Sequence, residues 1–341
     1  MSEAKIEGID HLRQAWRAAG LAPLWESPTA HKPPPGPDPA RHWSWSAIRP
    51  LLGEAMKITS PDAVERRVLS LAGARPRHPE DEATARTISA AIQMLLPGEK
   101  ARPHRHTMNA IRFVIEGEGA STLVDGKDCP MKEGDLVLTP GWTWHEHVHR
   151  GDKPILWLDI LDVPLHLWLG VAAFQPGPIN DNPVTHADAA FAFPNLLPDV
   201  ELDQRTFSPI FRYPWADAAA AVAVALHGKD GARRVRYVNP VTGGPAMDIL
   251  DCVVTQIDKG QKTAAFRTNA NAVCHVVEGE GETTVGDQTF KWSARDVFSL
   301  PQNNWITHRG GSKTSRLFIA SDRDAMRRLG FLKEEYRSGA A

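Results

Sequence analysis

The chain repeats itself. Asn109-Ala110-Ile111-Arg112-Phe113-Val114-Ile115-Glu116-Gly117-Glu118-Gly119 matches Asn271-Ala272-Val273-Cys274-His275-Val276-Val277-Glu278-Gly279-Glu280-Gly281, and the run Asp135 to Pro140 matches Asp296 to Pro301. Such a repeat asks the backbone to build the same unit twice. Each copy lies among short β-type runs. In the first copy these are TISAAIQMLL, AIRFVIEG, ASTLVDG, DLVLTP and PILWLDIL, separated by Gly, Asp and Pro turns. Regular short strands with that punctuation predict a sandwich or barrel. The expected organisation is mainly β: an N-terminal helical and proline-rich arm (1–80), a first barrel (81–175), a connecting segment (176–235) and a second barrel with a C-terminal helix (236–341). Within the arm, Leu12, Trp16, Ala19 and Leu24 give 7–24 a helical spacing, and HKPPPGPDPA (31–40) predicts a stiff extended stretch. Ser60-Pro61-Asp62-Ala63 predicts a helix start leading into AVERRVLSL, and a further helix is expected at Asp217–His227.

The first copy carries histidines that the second lacks. Gly98-x5-His104-Arg105-His106 is followed by Gly134-x5-Pro140-x-Trp142-x2-His145. A His-x-His pair on a strand points both rings to one side. The repeat register sets Phe266 opposite His104, Thr268 opposite His106 and Ile306 opposite His145. A single histidine in a barrel is more often core than ligand, but three lost together point to a metal. The fold does not require them, since the second copy keeps its glycines and core residues without them. With Ala110 where metal barrels of this kind often carry a glutamate, the ligand set stops at three neutral groups. That leaves coordination positions open and the full charge of a divalent ion. It favours an anionic, bidentate substrate with room for dioxygen. Non-haem Fe(II), one per chain, fits this best, ahead of Zn, Mn, Ni and Cu.

Polar residues in apolar strands complete the candidate site. His147 follows His145 on the same strand face and reads as an acid/base group, whereas His149 is given no role. Arg112, whose counterpart is Cys274, suits a carboxylate or an oxyanion. Asp159 within Trp157-Leu158-Asp159-Ile160 needs a partner, for which His147 or a substrate hydroxyl is expected. Gln93 is similarly polar amid apolar neighbours. Trp142, Trp144, Trp157 and Trp168 could wall an aromatic pocket, although core packing is the default for any one of them.

The remaining composition excludes several function classes. The formal charge of −2 gives no electrostatic argument for nucleic acid or a membrane surface. Cys129, Cys252 and Cys274 are scattered, with no CxxC, which predicts neither a disulfide framework nor a thiolate zinc site and fits a reducing cytoplasm. No apolar run is long enough to cross a membrane, and no signal core opens the chain.

The two histidine motifs resemble those of cupins, so the doubled unit resembles a bicupin: two double-stranded β-helix (jelly-roll) barrels with an N-terminal helical arm. More narrowly, PGEKARPHRHTMNAIRFVIEGEGASTLVDG, MKEGDLVLTPGWTWHEH and WLDILDVP resemble the gentisate 1,2-dioxygenase family, which includes salicylate and 1-hydroxy-2-naphthoate dioxygenases. GLAPLWE, AVERRVLSL and YVNPVTGG extend the resemblance over most of the chain. The resemblance implies that His104, His106 and His145 bind Fe(II), and that Arg112, His147, Asp159 and Gln93 surround an aromatic substrate. Trp157, Ala91 and Met108 join the candidate pocket; Met108 departs from the polar residue expected there. The implied reaction is dioxygen-dependent opening of the C1–C2 bond of gentisate to maleylpyruvate in aromatic-acid catabolism. The alternatives are the same chemistry on salicylate, on a nitro, chloro or amino 5-substituted salicylate, or on 1-hydroxy-2-naphthoate, and, in another class, a non-catalytic small-molecule-binding cupin. A cytoplasmic homotetramer is expected, with the arm reaching a neighbour.

Overall fold

The computed structural model describes residues 9–27, 36–73, 83–177, 183–193, 195–199 and 206–337. Half of the expected extended stretch (its residues 31–35) and the segment 74–82 lie outside them. Residues 1–37 make up one unit and 38–341 another. In the first, the helix Ile9–Ala18 ends earlier than the expected 24, because Gly20 turns left-handed (φ 70°) and the Leu21 amide caps back onto Trp16. Arg13 holds Asp10 and Glu26, at 2.6 and 2.8 Å, and Trp16 meets Trp25 edge-on.

The second unit is built from four sheets, and its two halves repeat one strand order. The first sheet runs Arg212–Tyr213, Leu136–Thr139, Ala110–Glu116, Ile155–Leu161, Ser89–Leu95, Val68–Ser70. The second runs Phe174–Pro176, Lys100–His106, His145–His149, Glu118–Val124, Lys127–Lys132, His186–Ala187. Their inner faces meet, with the His147 ring 5.2 Å from that of Trp157. The third sheet (His42–Trp43, Val297–Leu300, Ala272–Glu278, Ser315–Ser321, Asp251–Ile257, Arg233–Arg236) repeats the first. The fourth (Gln288–Ser293, Glu280–Val285, Trp305–Gly310, Phe266–Thr268, Glu334–Tyr336) repeats the second with one strand fewer. All pairs are antiparallel except His186–Ala187 on Lys127–Lys132.

The expected pair of closed jelly-roll barrels is therefore corrected. Among the described residues, three sheets of six strands and one of five stay open, and none closes on itself. The physical reason lies at the edges, where short strands from outside the repeat pair instead of the sheet's own opposite edge. Arg212–Tyr213 covers Leu136–Thr139, and Val68–Ser70 covers Ser89–Leu95.

The two halves join through their first and third sheets, where the Phe113 and Phe318 rings stack at 4.2 Å. Each half is also capped by a segment that leads into the other. The Trp45 amide donates to Asp296 Oδ1 at 2.7 Å, and the Trp215 amide to Asp135 Oδ1 at 3.0 Å. The Trp215 ring lies flush on Gly134, where a Cβ would sit 2.6 Å from its Cγ. The helix expected from Ser60 is one turn, Pro61–Val64. Glu65 takes φ 59°, breaks it, and sends the chain into Val68–Ser70. The helix expected at Asp217–His227 spans Trp215–Val224. The C-terminal helix is Arg323–Arg328, followed by a strand.

The repeat slips by one residue inside its best-matched stretch. Glu118 pairs with Lys132 and Ala120 with Met131, leaving Gly119 as a bulge at φ 94°; in the second half Glu280 and Gly281 pair with Ser293 and Trp292 without one. Gly281 therefore corresponds to Ala120 rather than to Gly119.

Candidate metal centre

His104 and His106 end the strand Lys100–His106, and His145 opens its neighbour directly opposite His104. Their ring centroids lie 4.2 Å (His104–His145), 4.8 Å (His106–His145) and 5.7 Å (His104–His106) apart, and one nitrogen from each falls within 4.8 Å of the others. In the second half Phe266 pairs with Ile306 in the same register, so the three ligand places are filled by groups that bind no metal.

Main-chain carbonyls set the tautomer of each ring. Nδ1 of His104 lies 2.9 Å from Arg102 O, that of His106 2.8 Å from Met108 O, and that of His145 3.0 Å from Thr143 O. A carbonyl only accepts, so each Nδ1 carries the proton and each Nε2 keeps its lone pair. Burial, reinforced by neighbouring positive charge, lowers His104 to about 3 and His106 to about 4; it holds His145 well below the ordinary histidine range. All three are neutral at pH 7, as metal ligation requires. His145 Nε2 is buried with no hydrogen-bond partner among the described residues. Three convergent lone pairs, one of them orphaned, fit a divalent metal bound on one face.

The open face looks into a cavity of 270 Å³. Arg112 and Asp159, both buried, line it side by side, 3.2 Å apart (Nε to Oδ1). Arg112 Nη1 donates to Thr139 Oγ1, and Trp157 Nε1 donates to Asp159 Oδ1 at 3.1 Å. Desolvation lowers Arg112 and raises Asp159, and each opposes the shift of the other. Gln93 lines the same wall with a buried Nε2 that has no partner among the described residues, and Ala91 stands beside it, paired with Asp159.

Other expected residues fall elsewhere. His147 is buried behind the ligands, its ring 6.1 Å from His145, and its Nδ1 meets Thr122 Oγ1 at 2.9 Å. Its orienting partner is thus Thr122 and not Asp159. Trp157 is fully buried against His147 and reaches the cavity only through Asp159. Met108 is not among the residues lining the cavity; its carbonyl holds His106. Trp142 and Trp144 stack with the Arg105 guanidinium at 4.5 and 4.7 Å, and Trp168 is 83% exposed, so neither group walls an aromatic pocket. His149 ties to Lys153 O at 2.6 Å.

One residue went unread in the sequence. Arg66 lines the cavity with Nη1 3.3 Å from His104 Nε2 and its guanidinium over the Phe174 ring. The available signal was the pair Arg66-Arg67 in an alternating run. Arg67 faces the other way, into a bidentate pair with Glu99 at 2.7 Å.

Paired open β-sheets carrying three neutral histidines beside a buried arginine define a metal-dependent member of the cupin class. The cupin domain model matches residues 91–161, a span that contains all three ligands. The chain is 36% identical to gentisate 1,2-dioxygenase of Ralstonia sp over 93% of this chain and 92% of that protein. It is 33% identical to 5-aminosalicylate 1,2-dioxygenase of Comamonas sp, over 96% and 90%. The crystal structure of salicylate 1,2-dioxygenase from Pseudoaminobacter salicylatoxidans with gentisate matches with a TM-score of 0.89 at 30% identity, covering 99% of this chain and 96% of that one. The chain belongs to the gentisate and salicylate 1,2-dioxygenase family and is an enzyme of the dioxygenase class of oxidoreductases.

Proposed function

We propose that this enzyme opens the ring of a small aromatic 2-hydroxy acid between carbons 1 and 2, with Fe(II) held by His104, His106 and His145. The observation that carries the reading is the placement of two arginines, Arg112 and Arg66, at the open face of the three histidines within one cavity. A ferrous ion bound there would supply Lewis acidity and an electron path between the ring and dioxygen. The chain's own residues do the rest. Arg112, fixed by Thr139 and Asp159, holds the carboxylate; Arg66 meets the acid at the mouth; and the Gln93 amide donates to a ring oxygen. The Thr122 hydroxyl donates to Met131 Sδ at 3.1 Å, so Thr122 Oγ1 accepts from His147 Nδ1–H; the His147 Nε2, buried behind the ligands and off the cavity wall, would take up the ortho hydroxyl proton by relay rather than by contact with the substrate.

Gentisate and salicylate share the carboxylate and ortho hydroxyl that these groups address. The remaining wall beside them includes Val64, Val68, Ala91 and Leu161, which suits a bare or 5-substituted ring as readily as the 5-hydroxyl of gentisate. The substrate proposed is therefore the 2-hydroxybenzoate class, salicylate and its 5-substituted relatives included, rather than gentisate alone. Buried free thiols at Cys129, Cys252 and Cys274 support a reducing, cytoplasmic setting, and no helix of the described residues is long and apolar enough to cross a membrane. A homotetramer is the assembly proposed, to be read by sedimentation.

Oxygen-electrode rates of the Fe(II)-loaded protein across gentisate, salicylate, 5-aminosalicylate, 1-hydroxy-2-naphthoate and benzoate test the reading. Uptake is expected with several of the hydroxy acids and none with benzoate. Absence of uptake with every hydroxy acid overturns it.

A further inference from the structure

The second half keeps a cavity where the first keeps its metal centre. It measures 380 Å³, and Phe266, Thr268 and Ile306, the replacements for the ligands, line it. One polar element of the first half survives there. Thr283 Oγ1 lies 2.8 Å from His308 Nδ1, as Thr122 Oγ1 lies 2.9 Å from His147 Nδ1. The third member of the network differs, and it reverses the proton. In the first half Met131 Sδ takes the threonine proton. In the second, Trp292 stands in the place of Met131 and its Nε1–H donates to Thr283 Oγ1 at 2.8 Å. An indole nitrogen can only donate, so the Thr283 hydroxyl turns its own proton to His308 Nδ1. His308 then carries its hydrogen on Nε2.

That N–H has no hydrogen-bond partner among the described residues, although His308 is only 5% exposed and lines the cavity. A donor presented to the cavity beside Phe266 and Ile306 is free to meet an acceptor there. Three guanidinium groups hold further donors on the lining, each tethered to a carboxylate: Arg234 to Asp230, Arg236 to Asp251 and Arg323 to Glu334. The Arg323 pair is bidentate, at 2.8 and 2.7 Å, whereas Arg236 makes a single contact of 3.1 Å and keeps donors to spare. We propose that this cavity is a second, non-catalytic site that binds a small aromatic carboxylate. The ring lies against Phe266 and Ile306, and the carboxylate takes hydrogen bonds from His308 Nε2–H and Arg236. With no metal ligands present, the site holds its occupant without opening it. The ligand class follows from the cavity's own groups and does not rest on the substrate proposed for the metal centre.

The test is anaerobic equilibrium dialysis of labelled salicylate against the iron-loaded protein and its variants. Two sites per chain are expected in the parent protein. His104→Ala, which disables the metal centre, should leave one. In the H104A background, His308→Leu should weaken that site about tenfold or more, while His308→Gln, which keeps a side-chain N–H, should largely retain it. Ile306→Trp fills the cavity from another wall and should abolish the site, which covers the case in which His308→Leu fails to fold. Salicylate binding at one site per chain that vanishes with His104→Ala overturns the proposal. So does a second site that survives His308→Leu and Ile306→Trp. Oxygen uptake by the parent protein reads the metal centre separately, so the two proposals fail independently.

Discussion

Arg112 Nε lies 3.2 Å from Asp159 Oδ1, and both side chains are buried on the cavity wall. The contact is an ion pair without hydrogen-bond geometry at Nε, which has no other partner. The guanidinium is instead steered through Nη1 by Thr139, and Asp159 by the Trp157 indole. Asp159 thus supplies the charge that lets a desolvated arginine stay on the cavity wall.

Asp159→Asn leaves that guanidinium charged and unpaired. Breaking a buried pair from one side costs roughly 3–5 kcal/mol, so the urea midpoint should fall sharply along with ring-cleaving activity. Replacing both partners, with Arg112→Met and Asp159→Leu, should restore most of the stability and none of the activity. Recovery of activity in the double variant would show that the pair is structural only.

Thr122→Val tests how His147 is set. The variant removes the acceptor that keeps the His147 proton on Nδ1, so the ring is free to take the other tautomer. Metal content should be unchanged, and the rate at saturating substrate should fall about tenfold, the effect of roughly one hydrogen bond. His147→Ala should also keep its metal while losing most of the rate, whereas His104→Ala should lose both. Metal loss from the Thr122 variant would place His147 among the ligands' supports instead.

These relationships were unevenly legible in the sequence. The repeat and the turn residues announced the strands, and the joint loss of three histidines from the second copy marked them as ligands. Openness of the sheets was not legible, because it depends on His42–Trp43 and Arg212–Tyr213, segments outside the repeat that pair across the chain. The partner of His147 was missed for a related reason: Thr122 lies on a separate strand, and only the pairing register sets it opposite His147. Arg66 was hidden by an apparent helix. Only the left-handed Glu65 shows that the helix stops after one turn and delivers the arginine to the cavity. Met108 was misplaced because a side chain was weighed where the backbone carbonyl acts.

Arg66→Ala should therefore be a binding variant before it is a catalytic one. Arg66 sits half-buried on the cavity lining, pairs with no carboxylate among the described residues, and sets Nη1 3.3 Å from His104 Nε2. The KM for the aromatic acid should rise about tenfold or more with a smaller change in kcat, as for loss of a charge-assisted hydrogen bond. Arg66→Lys should recover part of it. An unchanged KM with a collapsed kcat would move Arg66 from holding the substrate to the chemical step.

The second half supplies a pH dependence that the metal does not touch. Burial lowers His275 to about 3 and His308 to about 4, against 6.5 for an ordinary histidine. Between those values and 6.5 the unfolded chain binds protons that the folded chain refuses, so stability rises with pH through that window. The stabilisation is complete above about pH 6.5 and is lost as the pH falls toward 4 for His308 and toward 3 for His275. The slope is at most about 1.4 kcal/mol per pH unit for each group. Urea melts of the parent protein from pH 7 to pH 4 should show a falling midpoint. His308→Gln, which cannot titrate, should flatten part of that fall while leaving the unfolding free energy at pH 7 within about 1–2 kcal/mol of the parent. An identical slope in the variant would mean that His308 keeps an ordinary affinity for its proton and that its environment is wetter than the packing around Thr283 and Trp292 implies.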